Sequence, residues 1–179
     1  YAALIALVCL FFIQSFHYAI AAPVTHNISN QSELNNLLSG SDLNSGDNIN
    51  FTGSGPFSMS SSQAATFFSN VVQVNSSTSC SVSISASSTD FMTLSGFYVG
   101  NGVTLNFTGN GSFTNSTTSS IYLQNGSEFS FTNNWNFVNT NLHLSGNAQC
   151  NFNQDVDFQG SAIVTQNTSS VTAIANITF

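Results

Sequence analysis

Apolar and polar residues alternate along this chain in short triplets, and the triplets return at a fixed distance. Phe137, Phe158 and Phe179 are evenly spaced, and Phe113 precedes the first of them by a slightly longer interval. In step with them run Leu105, Phe129, Cys150 and Val171, then Gly111, Trp135, Val156 and Ile177. An internal period of this kind, about 21 residues, marks solenoids and related arrays. One repeat holds three triplets: Ile121-Tyr122-Leu123, Phe129-Ser130-Phe131 and Trp135-Asn136-Phe137. Apolar, polar, apolar at period two predicts a strand with one buried face. Phe113, Phe137, Phe158 and Phe179 are therefore expected to stack inward, and Ser112, Asn136, Asp157 and Thr178 to face water.

Residues between the triplets keep the same register. Asn110, Asn134, Asp155 and Asn176 occupy one equivalent position; Asn115, Asn139 and Gly160 a second; Asn101, Asn125, Gly146 and Asn167 a third. Asn, Asp and Gly tolerate the positive φ of a tight bend. Short strands with three such corners predict an all-β chain, a right-handed parallel β-helix with three sides and ~21-residue coils. An antiparallel β-sandwich is the alternative, although it has no need for face and corner identities to recur with this period.

Three regions depart from the repeat. Ala2 to Ile13 is almost wholly apolar and leads to Ala19-Ile20-Ala21-Ala22, which reads as a signal peptide over residues 1–21, cut after Ala21. Residues 22–52 read as an N-terminal cap: apolar spacing from Asn30 to Leu38, ended by Gly40, predicts one short helix, and Ser45 to Phe51 a turn entering a strand. Residues 53–179 form the coils, and a chain running from Tyr1 to Phe179 is expected to be part of a longer precursor. Within them, Gly53 to Ser69 is rich in Ser and Gly, and Phe57, Met59, Phe67 and Phe68 fall on no obvious face, which predicts irregular coils or an exposed loop. Val72-Gln73-Val74 and Val82-Ser83-Ile84 resume the alternation.

The cap carries a resemblance. A short helix with the pair Leu37-Leu38, followed by Gly46-Asp47-Asn48-Ile49-Asn50-Phe51, resembles the N-terminal cap of pectin-lyase-like right-handed β-helix proteins. The resemblance implies a helix covering the open end of a solenoid, with Asp47 a structural turn residue. Phe107-Thr108-Gly109-Asn110 and Phe131-Thr132-Asn133-Asn134 are similar, more weakly, to the F-x-x-N repeats of polymorphic outer-membrane proteins, which are β-helical adhesins; Ser119-Ser120-Ile121-Tyr122 stands where their G-G-A-I motif would be.

Composition narrows the chemistry. The chain has no Lys or Arg against seven acids, for a net charge of −7. Extended anions are held by basic side chains, so nucleic acid and acidic membranes are excluded as expected partners. Any membrane attachment would come from an anchor outside this chain. Pectate-type lyases of the family it resembles use an Arg or Lys base, which is missing. A glycosidase needs two carboxylates facing one cleft, and only Asp155 and Asp157 are close, at a corner and on an outward strand position, where they are expected to diverge. No Ser-His-Asp, Cys-His or metal-spaced cluster is recognisable. No catalytic residue, metal site or cofactor is expected.

The remaining candidates lie on the surface. Tyr98, Tyr122 and His143 fall in register on one outward column, a candidate carbohydrate-stacking face. N-x-S/T triplets begin at Asn27, Asn30, Asn50, Asn75, Asn106, Asn110, Asn115, Asn125, Asn167 and Asn176. Asn27, Asn30, Asn75 and Asn106 are the preferred N-glycosylation candidates, being placed in the cap, a loop or an outward strand. Cys150 is aligned with Phe129, Leu105 and Ile84, three coils beyond Cys80, so both are expected to be unpaired with each other.

The leading functional expectation is an extracellular, secreted or cell-surface structural and adhesion module without catalysis of its own, meeting carbohydrate or another surface protein. The rival is the N-terminal part of a polysaccharide-active lyase or glycosidase whose catalytic coils lie beyond Phe179. Ice binding is a third reading, which bulky Tyr98 and Tyr122 and the lack of a T-x-T ladder disfavour.

Overall fold

The computed structural model describes residues 22–179; the expected signal peptide lies outside them. The described residues are mostly β with two helices, and their strands form two parallel sheets. Every strand pairing among the described residues is parallel, so the antiparallel sandwich finds no support.

The elements in order are β1 (Thr25–Ile28), α1 (Gln31–Ser39), β2 (Asp47–Phe51), β3 (Phe57–Met59), α2 (Ser61–Asn70), β4 (Val71–Ser76), β5 (Cys80–Ser85), β6 (Thr89–Phe91), β7 (Gly96–Val99) and β8 (Val103–Thr108). They continue with β9 (Gly111–Leu123), β10 (Glu128–Phe131), β11 (Trp135–Leu144), β12 (Gln149–Phe152), β13 (Val156–Gln159), β14 (Ile163–Thr165), β15 (Ser170–Ala173) and β16 (Ile177–Thr178). One sheet runs β1-β2-β4-β7-β9-β11-β13-β16, with β6 beside β9 and β14 beside β11; the other runs β15-β12-β10-β8-β5-β3. The chain alternates between the sheets and returns each time one strand further along.

The register follows the sequence repeat. Phe137 pairs with Phe113 on one side and Phe158 on the other, and Phe129 pairs with Leu105 and Cys150. Like residues thus stack ~4.8 Å apart along the ladder, and their rings meet: Phe137 and Phe158 are 4.7 Å apart at 8°. Phe113, Phe137 and Phe158 are buried as expected. Phe179 continues the stack, its ring 5.4 Å from that of Phe158 at 20°, with its other face uncovered.

The longer interval between Phe113 and Phe137 has a local cause. Between the pairs Val138–Thr114 and Thr140–Ser119, β11 passes through Asn139 alone, whereas β9 passes through Asn115 to Thr118. The extra residues, Ser116 to Thr118, are exposed and leave the register on both sides intact.

Five points differ from the sequence reading. Gly53 to Ser69 is ordered: Phe57 and Met59 share the buried face of β3, and α2 follows, opened by a capping box between Ser60 and Gln63. Its Phe67 and Phe68 are both fully buried, because the helix sits where a strand would otherwise close the early core. β4 is bulged between its pairings to Asp47 and Asn48, which buries Val71 and Val74 and leaves Val72 half-exposed. Leu105 pairs with Val82, not Ile84, a slip along the strand that keeps the same face inward. Ser112 is buried, because Asp90 on the neighbouring strand accepts its hydroxyl hydrogen. Finally, β1 precedes α1 and pairs with β2, a strand the sequence did not predict.

The corners divide into kinds. Asn101, Asn125, Gly146 and Asn167 all have positive φ, between 38° and 64°, and so do Asn139 and Gly160. The corner at Asn110, Asn134, Asp155 and Asn176 does not. It is held from the next repeat instead: Asp155 Oδ1 accepts from both the backbone and side-chain amides of Asn176. Asn115 also lacks positive φ; it is buried, accepting from Thr93 N and donating to Thr140 Oγ1 at 2.7 Å.

Candidate functional site

The outward positions of β6, β9, β11, β13 and β16 form one column: Asp90, Ser112, Asn136, Asp157 and Thr178 are successive partners. Beside it runs the corner column Asn110, Asn134, Asp155 and Asn176. Between the two lies a groove in two stretches. One, of about 370 Å³, is lined by Asp90, Asn110, Ser112, Asn134 and Asn136 among others. The second, of about 290 Å³, shares Asn134 and Asn136 and continues to Asp155, Asp157 and Thr178. The groove therefore runs along the repeat axis, walled by amides, hydroxyls and three carboxylates.

Asp155 and Asp157 line the same stretch, which corrects the expectation that they diverge. Alternation separates adjacent side chains, but residues two apart across a bend return to one side. Hydrogen bonds from Gln159 Nε2 and Thr178 Oγ1 hold the Asp157 carboxyl below the usual range. Asp90 is a groove residue absent from the sequence expectations, whereas its partner Ser112 was among the outward positions. The triplet Thr89-Asp90-Phe91, one repeat before Gly111-Ser112-Phe113, was the available signal.

On the other half of the same sheet, Tyr98, Tyr122 and His143 are register partners. Tyr98 and Tyr122 stack at 4.5 Å and 8°, and Tyr122 and His143 at 4.9 Å and 22°. Each ring covers its neighbour, so the column shows edges and phenol oxygens along its length. The outer ring faces at the two ends of the column adjoin Gln73 and Val164. The His143 end opens on a small groove of about 210 Å³ with Tyr122, Gln124, Val164 and Gln166.

The glycosylation candidates separate. Asn27 is exposed on β1, its Oδ1 accepting from Asn50. Asn30 is the N-cap of α1, accepting from Glu33 N. Asn75 is half-buried on β4, and Asn106, half-buried on β8, donates to Ser81 Oγ at 2.8 Å.

Near the start of the described residues, Asp47 is a structural hub. Its buried carboxylate accepts from Val24 N at 2.8 Å, Asn44 N at 2.9 Å and His26 Nε2 at 2.9 Å, tying β1 to the turn before β2. Burial pushes its pKa up, but the hydrogen bonds from His26, Val24 and Asn44 outweigh it and the net shift is downward. A carboxyl with a depressed folded pKa stabilises the fold above its unfolded pKa and loses that contribution as pH falls through the folded value. The junction between β1 and the turn before β2 is thus expected to loosen as pH falls below the ordinary carboxylate range, and Asp47→Asn to remove that acid-sensitive step. Amide exchange at Ile28 and Ile49 against pH measures it; an unchanged profile in the variant would contradict the hub.

Cys80 and Cys150 are free and buried. Three ladder steps, Val82 to Leu105 to Phe129 to Cys150, separate their levels. At ~4.8 Å per step that exceeds the reach of a disulfide, ~7 Å between α-carbons. Burial raises both thiol pKa values, and for Cys150 the Glu128 charge adds to it. Both are expected to resist alkylation until unfolding, with peptide mapping under non-reducing conditions finding no bond between them.

Among the described residues no group of three or more His, Cys, Asp or Glu is placed to hold a metal ion, and no helix is long and apolar enough to cross a membrane. No protein-family model, curated protein or solved structure matches this chain.

Proposed function

We propose that the two parallel sheets are sides of a right-handed, three-sided β-helix of the pectin-lyase-like kind, and that the chain is a secreted or cell-surface adhesion module without catalysis of its own. Returning parallel strands connect right-handedly as a rule, and α1 buries Leu34, Leu37 and Leu38 at the end where a solenoid needs a cap. The groove along Asp90, Asn134, Asn136 and Asp157 carries the functional reading: amides and hydroxyls repeat every ~4.8 Å along it, which suits an extended, hydroxyl-rich, uncharged glycan. Three carboxylates and no base repel an anionic one.

Neutral and acidic polysaccharides immobilised side by side test it. Neutral chains are expected to bind and polygalacturonate to be ignored. Each hydrogen bond contributes ~0.5–1.5 kcal/mol, so Asn134→Ala with Asn136→Ala is expected to weaken binding about tenfold without unfolding. Equal binding by that variant, or no binding to any glycan, would sink the groove reading.

The shared groove of Asp155 and Asp157 favours a second reading, polysaccharide cleavage. A glycosidase needs one carboxyl kept protonated by a raised pKa and a second that stays ionised; the downward shift of Asp157 suits it to the second role and not the first. Wall polysaccharides incubated with the chain, with and without calcium, are expected to stay uncut. Reducing or unsaturated ends that disappear with Asp155→Asn or Asp157→Asn would establish the enzyme instead.

A further inference from the structure

The N-x-S/T triplets differ sharply in what their asparagine does in the fold. Asn115 is buried and uses both ends of its amide inside the molecule, so a glycan there is incompatible with this structure. Asn50, Asn106 and Asn176 donate through Nδ2 to Asn27, Ser81 and Asp155. Asn110 lies in the wall of the groove.

Asn125 and Asn167 are different. Both are exposed, both sit on the positive-φ corner, and among the described residues neither side chain makes a hydrogen bond. Their turns are closed by the flanking residues: Ser127 N donates to Gln124 O and Ser127 Oγ accepts from Gln124 N, with Ser169 and Gln166 repeating the arrangement. Left-handed backbone at the first turn position sets the side chain at the apex of the corner, where Asn125 Oδ1 lies beside the neighbouring Gly146. Gly146, at the equivalent position between them, adds no side chain. The two amides therefore stand on one edge, two ladder steps or ~9.6 Å apart.

We infer that Asn125 and Asn167 are N-glycan acceptors of this chain, beside the exposed Asn27 and in place of the half-buried Asn75 and Asn106. The inference rests on passage through a eukaryotic secretory pathway. In the reaction Nδ2 bonds to the anomeric carbon of a lipid-diphosphate-linked oligosaccharide. That carbon's bond to the diphosphate breaks, lipid diphosphate leaves, and the amide gives up one proton. The host supplies the donor and the transferase. Glycans on this edge would leave the groove between Asp90 and Thr178 open, since that groove lies at a different corner.

The test expresses the full chain in secreting eukaryotic cells, once as it stands and once behind an added leader, and maps glycans on the chain recovered from cells and medium. Asn125→Gly and Asn167→Gly remove the acceptors while suiting the corner, as Gly146 already does. Behind the added leader, each variant is expected to lose one glycan and the pair two, with Asn115 bare. Bare Asn125 and Asn167 in that chain, with glycans elsewhere or nowhere, would overturn the inference; the triplets would then be the fold's own turn chemistry. Glycans behind the added leader but no export without it would instead count against the secretion reading and uphold the two sites.

Discussion

Phe68→Ala is expected to cost about 3–5 kcal/mol, the range for emptying a large buried aromatic site. Phe68 is fully buried on α2 and its ring meets those of Phe67, Phe91, Phe97, Phe107 and Phe113, at 5.1–6.1 Å. It joins rings from both sheets, so the cavity left behind has walls that cannot collapse independently. Phe137→Ala, between Phe113 and Phe158, is expected to cost a similar amount. Asn136→Ala, next along the chain but on the outer face, is expected to stay within about 0.5 kcal/mol. Urea unfolding of the three variants is the measurement. Equal losses for Phe137→Ala and Asn136→Ala would mean that the inward and outward faces are misassigned.

Gly109→Ala is the second large effect. Gly109 has φ of +87°, and a Cβ built there would stand 1.9 Å from the carbonyl oxygen of Ala86. Backbone must move, since Ala86 belongs to the adjacent repeat and its own N–H donates to Thr108 O. Gly126 supplies the control: its φ is +76° with nothing within 4 Å of the added carbon. Gly126→Ala is expected to cost the conformational penalty alone, about 1–2 kcal/mol. Gly109→Ala is expected to exceed it by at least ~1–3 kcal/mol, the cost of over-packing, and to broaden the thermal transition. Equal melting temperatures for the two variants would contradict the close approach of the repeats at Ala86.

The two pairs of variants probe different levels of specification. Phe137 and Asn136 were separable by alternation alone, because a strand sends successive side chains to opposite faces. Gly109 was not: its need for a bare α-carbon comes from the Ala86 carbonyl in the preceding repeat. Phe67 and Phe68 are an intermediate case. Their adjacency fits no strand, and the capping signal Ser60-x-x-Gln63 was present, but what makes both of them core is that α2 lies between the sheets.

Face, period and the third corner were legible in the chain because they are local or strictly repeating. An inward aromatic once per repeat and an Asn or Gly at each left-handed bend are required by strand geometry and by φ alone, whatever lies alongside. Only the tertiary structure decided the rest: that Ser112 is buried by Asp90, that Asp155 and Asp157 meet in one groove, and that Tyr98, Tyr122 and His143 cover one another's faces. Each of these depends on which repeat lies ~4.8 Å away and on the bend between two strands. Alternation along a single strand carries neither.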